Sequence, residues 1–147
     1  MKITRSTQTL LMGALTLALL LSACAPRNEI QTSQGQALVE QGNAYMRCMQ
    51  ESDFNCAYAL MSPAAKQLID GAVKLAGSTV DIAGLFKAYG PTISSWTFDQ
   101  VQISTRDGRT TGTLKGEVDM QDGKPHHVDL GFERDGETWK VRSSSIE

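Results

Sequence analysis

The spacing of apolar residues changes abruptly at Gly90-Pro91, and that change restricts the chain to a narrow set of folds. Before it, apolar positions recur every three or four residues. Ala37, Leu38, Gln41, Ala44, Tyr45, Cys48 and Met49 form one stripe of a helix running from Gln36 to about Gln50, with Gln41 its polar member. Ser52 or Asp53 can cap a second helix carrying Phe54, Ala57, Tyr58 and Met61. Ser62-Pro63 starts a third, with the proline at the first helical position, where its missing N–H costs nothing. Its expected apolar face is Ala65, Leu68, Ile69, Ala72, Val73 and Ala76. Ser78-Thr79-Val80-Asp81 has the spacing of a capping box and predicts a fourth, short helix with Ile82, Leu85, Phe86 and Tyr89.

After Pro91 the period is two. Trp96 and Phe98 alternate, then Val101 and Ile103 alternate on the opposite parity. A one-residue slip turns every later side chain over, so a β-bulge is expected near Asp99-Gln100. Arg106-Asp107-Gly108-Arg109 is a turn, Asp122-Gly123 carries the two-residue hairpin signal, and Asp135-Gly136 closes another hairpin. Leu114, Val118 and Met120, then Val128, Leu130 and Phe132, then Trp139 and Val141 supply the inner faces of three further strands. Helices followed by a one-sided antiparallel meander define an α+β domain: N-terminal helices packed on a curved four-stranded antiparallel sheet.

The N-terminus constrains location. Lys2 and Arg5 precede twelve uncharged residues, Leu10 to Leu21, and then Leu21-Ser22-Ala23-Cys24. This order of basic, apolar and small residues is that of a secretory signal. Twelve residues of helix span about 18 Å, short of a bilayer core of roughly 30 Å. The four residues ending at Cys24 resemble the lipobox of bacterial lipoproteins. That resemblance implies cleavage after Ala23, a diacylglyceryl thioether and acylated amine on Cys24, and the lipid membrane as a partner. Ala25, in place of the aspartate that retains enteric-type lipoproteins at the inner membrane, implies the outer membrane facing the periplasm. The resulting division is a signal over 1–23, a lipidated cysteine and polar tether over 24–35, and a domain over 36–147.

Of the 14 Lys+Arg and 16 Asp+Glu, the signal takes two basic residues and no acid, leaving 12 − 16 = −4 on the mature chain. A mildly acidic domain without a Lys/Arg cluster argues against nucleic acid or an anionic lipid surface as the main partner. With Cys24 lipidated, Cys48 and Cys56 remain as an even pair in an oxidising compartment, and a disulfide between them ranks ahead of free thiols. Zinc ranks third, since only His126 and His127 could add ligands and they lie in a different element. No metal or cofactor motif is present.

The order of elements resembles the nuclear transport factor 2-like (cystatin-like) fold. Asp53-Phe54-Asn55-Cys56-Ala57-Tyr58-Ala59-Leu60-Met61-Ser62-Pro63-Ala64 is similar to a run in small bacterial lipoproteins of that fold. Tyr89-Gly90-Pro91 with Ser95-Trp96 resembles their helix-to-sheet junction, and Asp135-Gly136-Glu137-Thr138-Trp139-Lys140-Val141 their last strand. The resemblance implies a cone between helices and sheet. Catalytic members place acids or histidines inside it, whereas Glu117, Asp119, Asp129 and Glu133 fall here on outward parity. His126 shares parity with Val128 and Leu130 but lies beside Pro125 at a strand end. Tyr45, Trp96 and His126 are the candidate pocket residues, and no catalytic residue is assigned. The expected function is a non-catalytic binding or interaction module taking a small apolar ligand or an envelope protein. The alternative is an isomerase or dehydratase with His126 or a tyrosine as proton acceptor.

Overall fold

The computed structural model describes residues 28–76 and 92–147. The signal segment, Cys24 and the expected helix after Ser78 lie outside these residues. Three helices, α1 (Ser33–Gln50), α2 (Phe54–Leu60) and α3 (Pro63–Ala76), precede four strands. The strands are β1 (Ile93–Arg106), β2 (Arg109–Met120), β3 (Pro125–Asp135) and β4 (Thr138–Ile146). They form one antiparallel sheet in the order β1-β2-β3-β4, with the helices on one face: an α+β fold as the two periodicities require.

Helix α1 starts at Ser33, three residues before the expected Gln36. Thr32 is its N-cap, accepting the Gly35 N–H (3.0 Å) while its own hydroxyl donates to the Glu29 carbonyl (2.8 Å). Leu38, Tyr45 and Cys48 are buried as their spacing predicts, whereas Ala37 is exposed and Met46 takes a core place instead. The stripe is rotated by one position, because Gly42 sets the line of contact. A Cβ on Gly42 would collide with Leu114 and the Phe98 ring, so the bare backbone lets the helix settle onto β1 and β2. At its C-terminus Gln50 Nε2 donates to the Ile93 and Ser94 carbonyls (3.2 and 2.9 Å), fastening α1 to the start of β1.

Cys48 and Cys56 are disulfide-bonded with Cα atoms 5.6 Å apart, joining the last turn of α1 to the first of α2. Asp53, one of the two expected caps, accepts the Cys56 N–H (3.0 Å). Ser52 has φ 56° and ends α1 in the left-handed region. Ser62 accepts the Ala65 N–H (3.2 Å), as its place before Pro63 predicts, and its N–H donates to the Val141 carbonyl (2.8 Å).

Beyond that foothold α3 departs from expectation. Ala65 is buried and Ile69 and Val73 are half-buried, but Ala72 is exposed and Leu68 is 74% exposed. Leu75 is 92% exposed. Among the described residues, α3 is held to β4 through its N-terminal turn, so the period of its sequence defines a face that these residues only partly cover.

In β1 the register shifts between Phe98 and Gln100, which places the expected bulge at Asp99. Trp96 then lies opposite Val118, Phe98 opposite Gly116, Val101 opposite Leu114 and Ile103 opposite Gly112. All four β1 side chains thus share the helix-facing side despite opposite parity. The first hairpin turns through Asp107 and Gly108 at φ 53° and 75°, the two left-handed positions of a type I′ turn. The second differs from the two-residue link that Asp122-Gly123 predicts, because Asp119 pairs with Pro125. Pro125 has no N–H for a tighter ladder, and Asp122 accepts the Lys124 N–H (2.9 Å) to shape a longer loop. A further bulge lies in β4: Phe132 pairs with Val141 but Gly131 with Ser143, leaving Arg142 as the extra residue. The core is Phe132, Leu130, Leu114, Val118, Val101 and Val128 from the sheet against Leu38, Tyr45 and Met46.

Candidate functional site

Among the described residues, concave regions lie on both sides of the sheet. The first is a groove of about 190 Å³ between α1, α3 and β4, lined by Tyr45, Met61, Ala65, Leu68, Ile69 and Val141 with Ser143 and Ser144 at its side. Arg142 stands exposed at its rim. The bulge at Arg142 builds this groove. Trp139 and Val141 face the helices, and without the slip Ser143 would follow them inward. With it, Ser144 lies opposite buried Leu130 and meets the Tyr45 hydroxyl at 3.2 Å. No signal in the sequence marks Ser144, since a run of three serines carries no parity.

Burial pushes the Tyr45 phenol above its ordinary value and outweighs the Ser144 hydrogen bond, which pulls the other way. The hydroxyl is therefore neutral at neutral pH and already engaged. Tyr45 and Ser144 are a paired donor and acceptor set in an aliphatic wall, with Ser143 and Arg142 beside them at the rim.

The second region, on the outer face, has a volume of about 360 Å³. Asp99, Glu117, Asp129 and Glu147 surround Lys115 and His127 there. Lys115 Nζ and Asp129 Oδ2 are 3.1 Å apart, with about half of each side chain in water, so this pair contributes little. Glu117 and Asp129 point outward as their parity predicts.

The three candidate pocket residues do not converge. Trp96 is half-buried and donates from Nε1 to Asn43 Oδ1 on α1 (2.9 Å). His126 lies across Val118 from Trp96, in one cross-strand row. Its Nε2 is 3.3 Å from Asp122 Oδ2, at the hairpin end of the row and in partial contact with water. The Asp122 carboxyl is held below the usual range first by the Lys124 N–H and then by His126. Tyr45 belongs instead to the groove on β4. Among the described residues no group of three or more His, Cys, Asp or Glu could hold a metal ion, and no helix is long and apolar enough to cross a membrane.

No protein-family model matches this chain. No curated protein matches it either. Among solved structures, Aln2 from a Streptomyces species is similar at 20% sequence identity and a TM-score of 0.41, covering 83% of this chain and 92% of that one.

Proposed function

We propose that this chain is a lipid-anchored, extracytoplasmic binding module of the bacterial cell envelope, with a nuclear transport factor 2-like architecture. Its groove between α3 and β4 takes an apolar group of side-chain size. The observation that carries this reading is the lining of the groove: aliphatic walls, an internally paired Tyr45–Ser144 hydroxyl couple, and an ionised group, Arg142, only at the exposed rim. Stabilising charge in a transition state needs donors or ionised groups aimed at the reacting centre. Tyr45 is spent on Ser144 and raised in pKa, so it is a poor proton acceptor. A volume of about 190 Å³ also falls short of the roughly 300–1,000 Å³ typical of small-molecule sites, which favours a single aliphatic chain end or ring.

The anchor is supported by Lys2, Arg5, the Leu10–Leu21 run and Leu21-Ser22-Ala23-Cys24. Acyl chains contribute about 0.8 kcal/mol per buried CH₂, and two or more give stable attachment. Radiolabelled palmitate should enter the native protein, and Cys24→Ala should abolish the labelling.

Toluene, a probe of matching size, tests the groove. In a methyl NMR titration it should shift the Ala65 and Ile69 resonances, and Ala65→Phe, which fills the space, should remove the response while the fold persists. Unmoved groove methyls in the native protein would reject the site. Turnover of enolisable or dehydratable substrates that Tyr45→Phe eliminates would overturn the non-catalytic reading.

A further inference from the structure

The chain joins the sheet sooner than its polar N-terminal composition announces. Among the described residues β1 is an edge strand, and Asn28 lies against that edge at the Asp99 bulge. Its Nδ2 donates to the Asp99 carbonyl (2.7 Å) and its Oδ1 accepts the Val101 N–H (3.0 Å). The Glu29 N–H then donates to the Val101 carbonyl (2.9 Å). One amide side chain and one peptide thus act as a miniature edge strand. They cover the bulge and fix where the N-terminal segment leaves the domain.

That exit point has a consequence for a chain attached at Cys24. Four residue steps separate Cys24 from Asn28, and even fully extended they reach at most about 14 Å. The β1 edge is therefore leashed close to whatever Cys24 is embedded in. The groove lies beside β4, the opposite edge of the sheet, three strand spacings or roughly 14 Å further away.

We propose that the β1 edge at the Asp99 bulge is the membrane-facing edge of the domain, so that the groove on β4 opens away from the bilayer and is filled from the aqueous side. This rests on the lipid attachment at Cys24 proposed above. It implies that the partner is a water-exposed apolar group, such as a side chain of another envelope protein, rather than an acyl chain drawn from the adjacent leaflet.

Site-directed quenching tests it. The full chain, processed by its host and with the Cys48–Cys56 disulfide intact, carries a fluorophore at Gln102→Cys or, separately, Arg142→Cys. Both positions are exposed and lie on opposite edge strands. Each protein is reconstituted into phosphatidylethanolamine–phosphatidylglycerol vesicles containing a headgroup nitroxide. Quenching at position 102 should exceed that at 142 by about twofold or more, given the strand separation. Inserting about sixteen Gly/Ser residues between Arg27 and Asn28 adds a coil of roughly 22 Å and should erase the difference. Equal quenching in the native-length, acylated protein would overturn the orientation and leave the anchor standing. An intact mass showing no acyl chains would overturn the anchor, and the orientation with it.

Discussion

Helices α1 and α3 look alike in sequence and serve differently in the fold. Both carry apolar residues at helical spacing, and α3 has the more sharply divided faces. Yet α1 is buried along its length through Leu38, Gly42, Tyr45, Met46 and Cys48, whereas α3 is fixed to the sheet at Ser62 and Ala65 and leaves Leu68 and Leu75 in water. Periodicity tells which side of a helix is apolar. It does not tell what, or how much, will cover that side. The contrast also separates the helix that carries the core from the helix that forms one wall of the groove.

The largest expected effect breaks α1. Leu38 is fully buried and would press against a Cβ on Gly112, so Leu38→Ala should cost about 2–5 kcal/mol. The matching change on α3, Leu68→Ala, should stay within about 0.5 kcal/mol, because that side chain is already in water. Urea unfolding of the two variants measures the comparison directly. Comparable losses would mean that α3 is covered as fully as α1.

Next comes the clasp between α1 and α2. The Cys48–Cys56 loop spans a sequence separation of 8, and its removal in a Cys48→Ser/Cys56→Ser pair should cost roughly 2–3 kcal/mol in the chain-entropy account. Non-reducing mass mapping would find the bridge in the native protein and establish its absence in the variant. Two free thiols in native protein from an oxidising compartment would refute the pairing.

A smaller change sharpens the picture of α3 as a helix held to the sheet by its start, with Asp70 further along accepting the Tyr58 hydroxyl of α2. Ser62 caps it and also reaches β4, so Ser62→Ala should cost about 1 kcal/mol through the lost cap alone, since the Ser62 N–H to Val141 bond survives. If the toluene response of the groove falls with it, the cap also sets the position of the wall.

The smallest effect depends on pH. Tyr45 has a folded-state pKa raised by burial, so its contribution is fully present below the ordinary phenol value of 10.0 and is lost as pH rises through the folded value. Stability should therefore fall above about pH 10, and Tyr45→Phe should flatten that decline. An unchanged alkaline limb would assign it to other groups.

These tests separate what could be read along the chain from what required its folding. Asp53 and Ser62 as caps, the Asp107-Gly108 turn, the Asp99 bulge and the inner faces of β2 and β3 are all legible. Each rests on residues within a few positions of one another, where a cap, a turn or an alternation has a local physical cause. The candidate site was less legible. Tyr45 is in the groove, but Trp96 and His126 share a row elsewhere in the sheet, and Ser144 carries no signal at all.

By itself, then, the sequence determined the order of elements, the class of fold and the identity of most core positions, because hydrophobic periodicity and turn chemistry are local. Only the tertiary structure decided the rotation of α1 at Gly42, the slip at Arg142 that turns Ser144 inward, and the fastening of Asn28 to β1. Each of these is settled by a partner far away in the chain. A glycine matters there for the leucine it lets in, a serine for the tyrosine it meets, and an asparagine for the carbonyl it reaches at a bulge. Such partners share no spacing that a single strand of sequence could display.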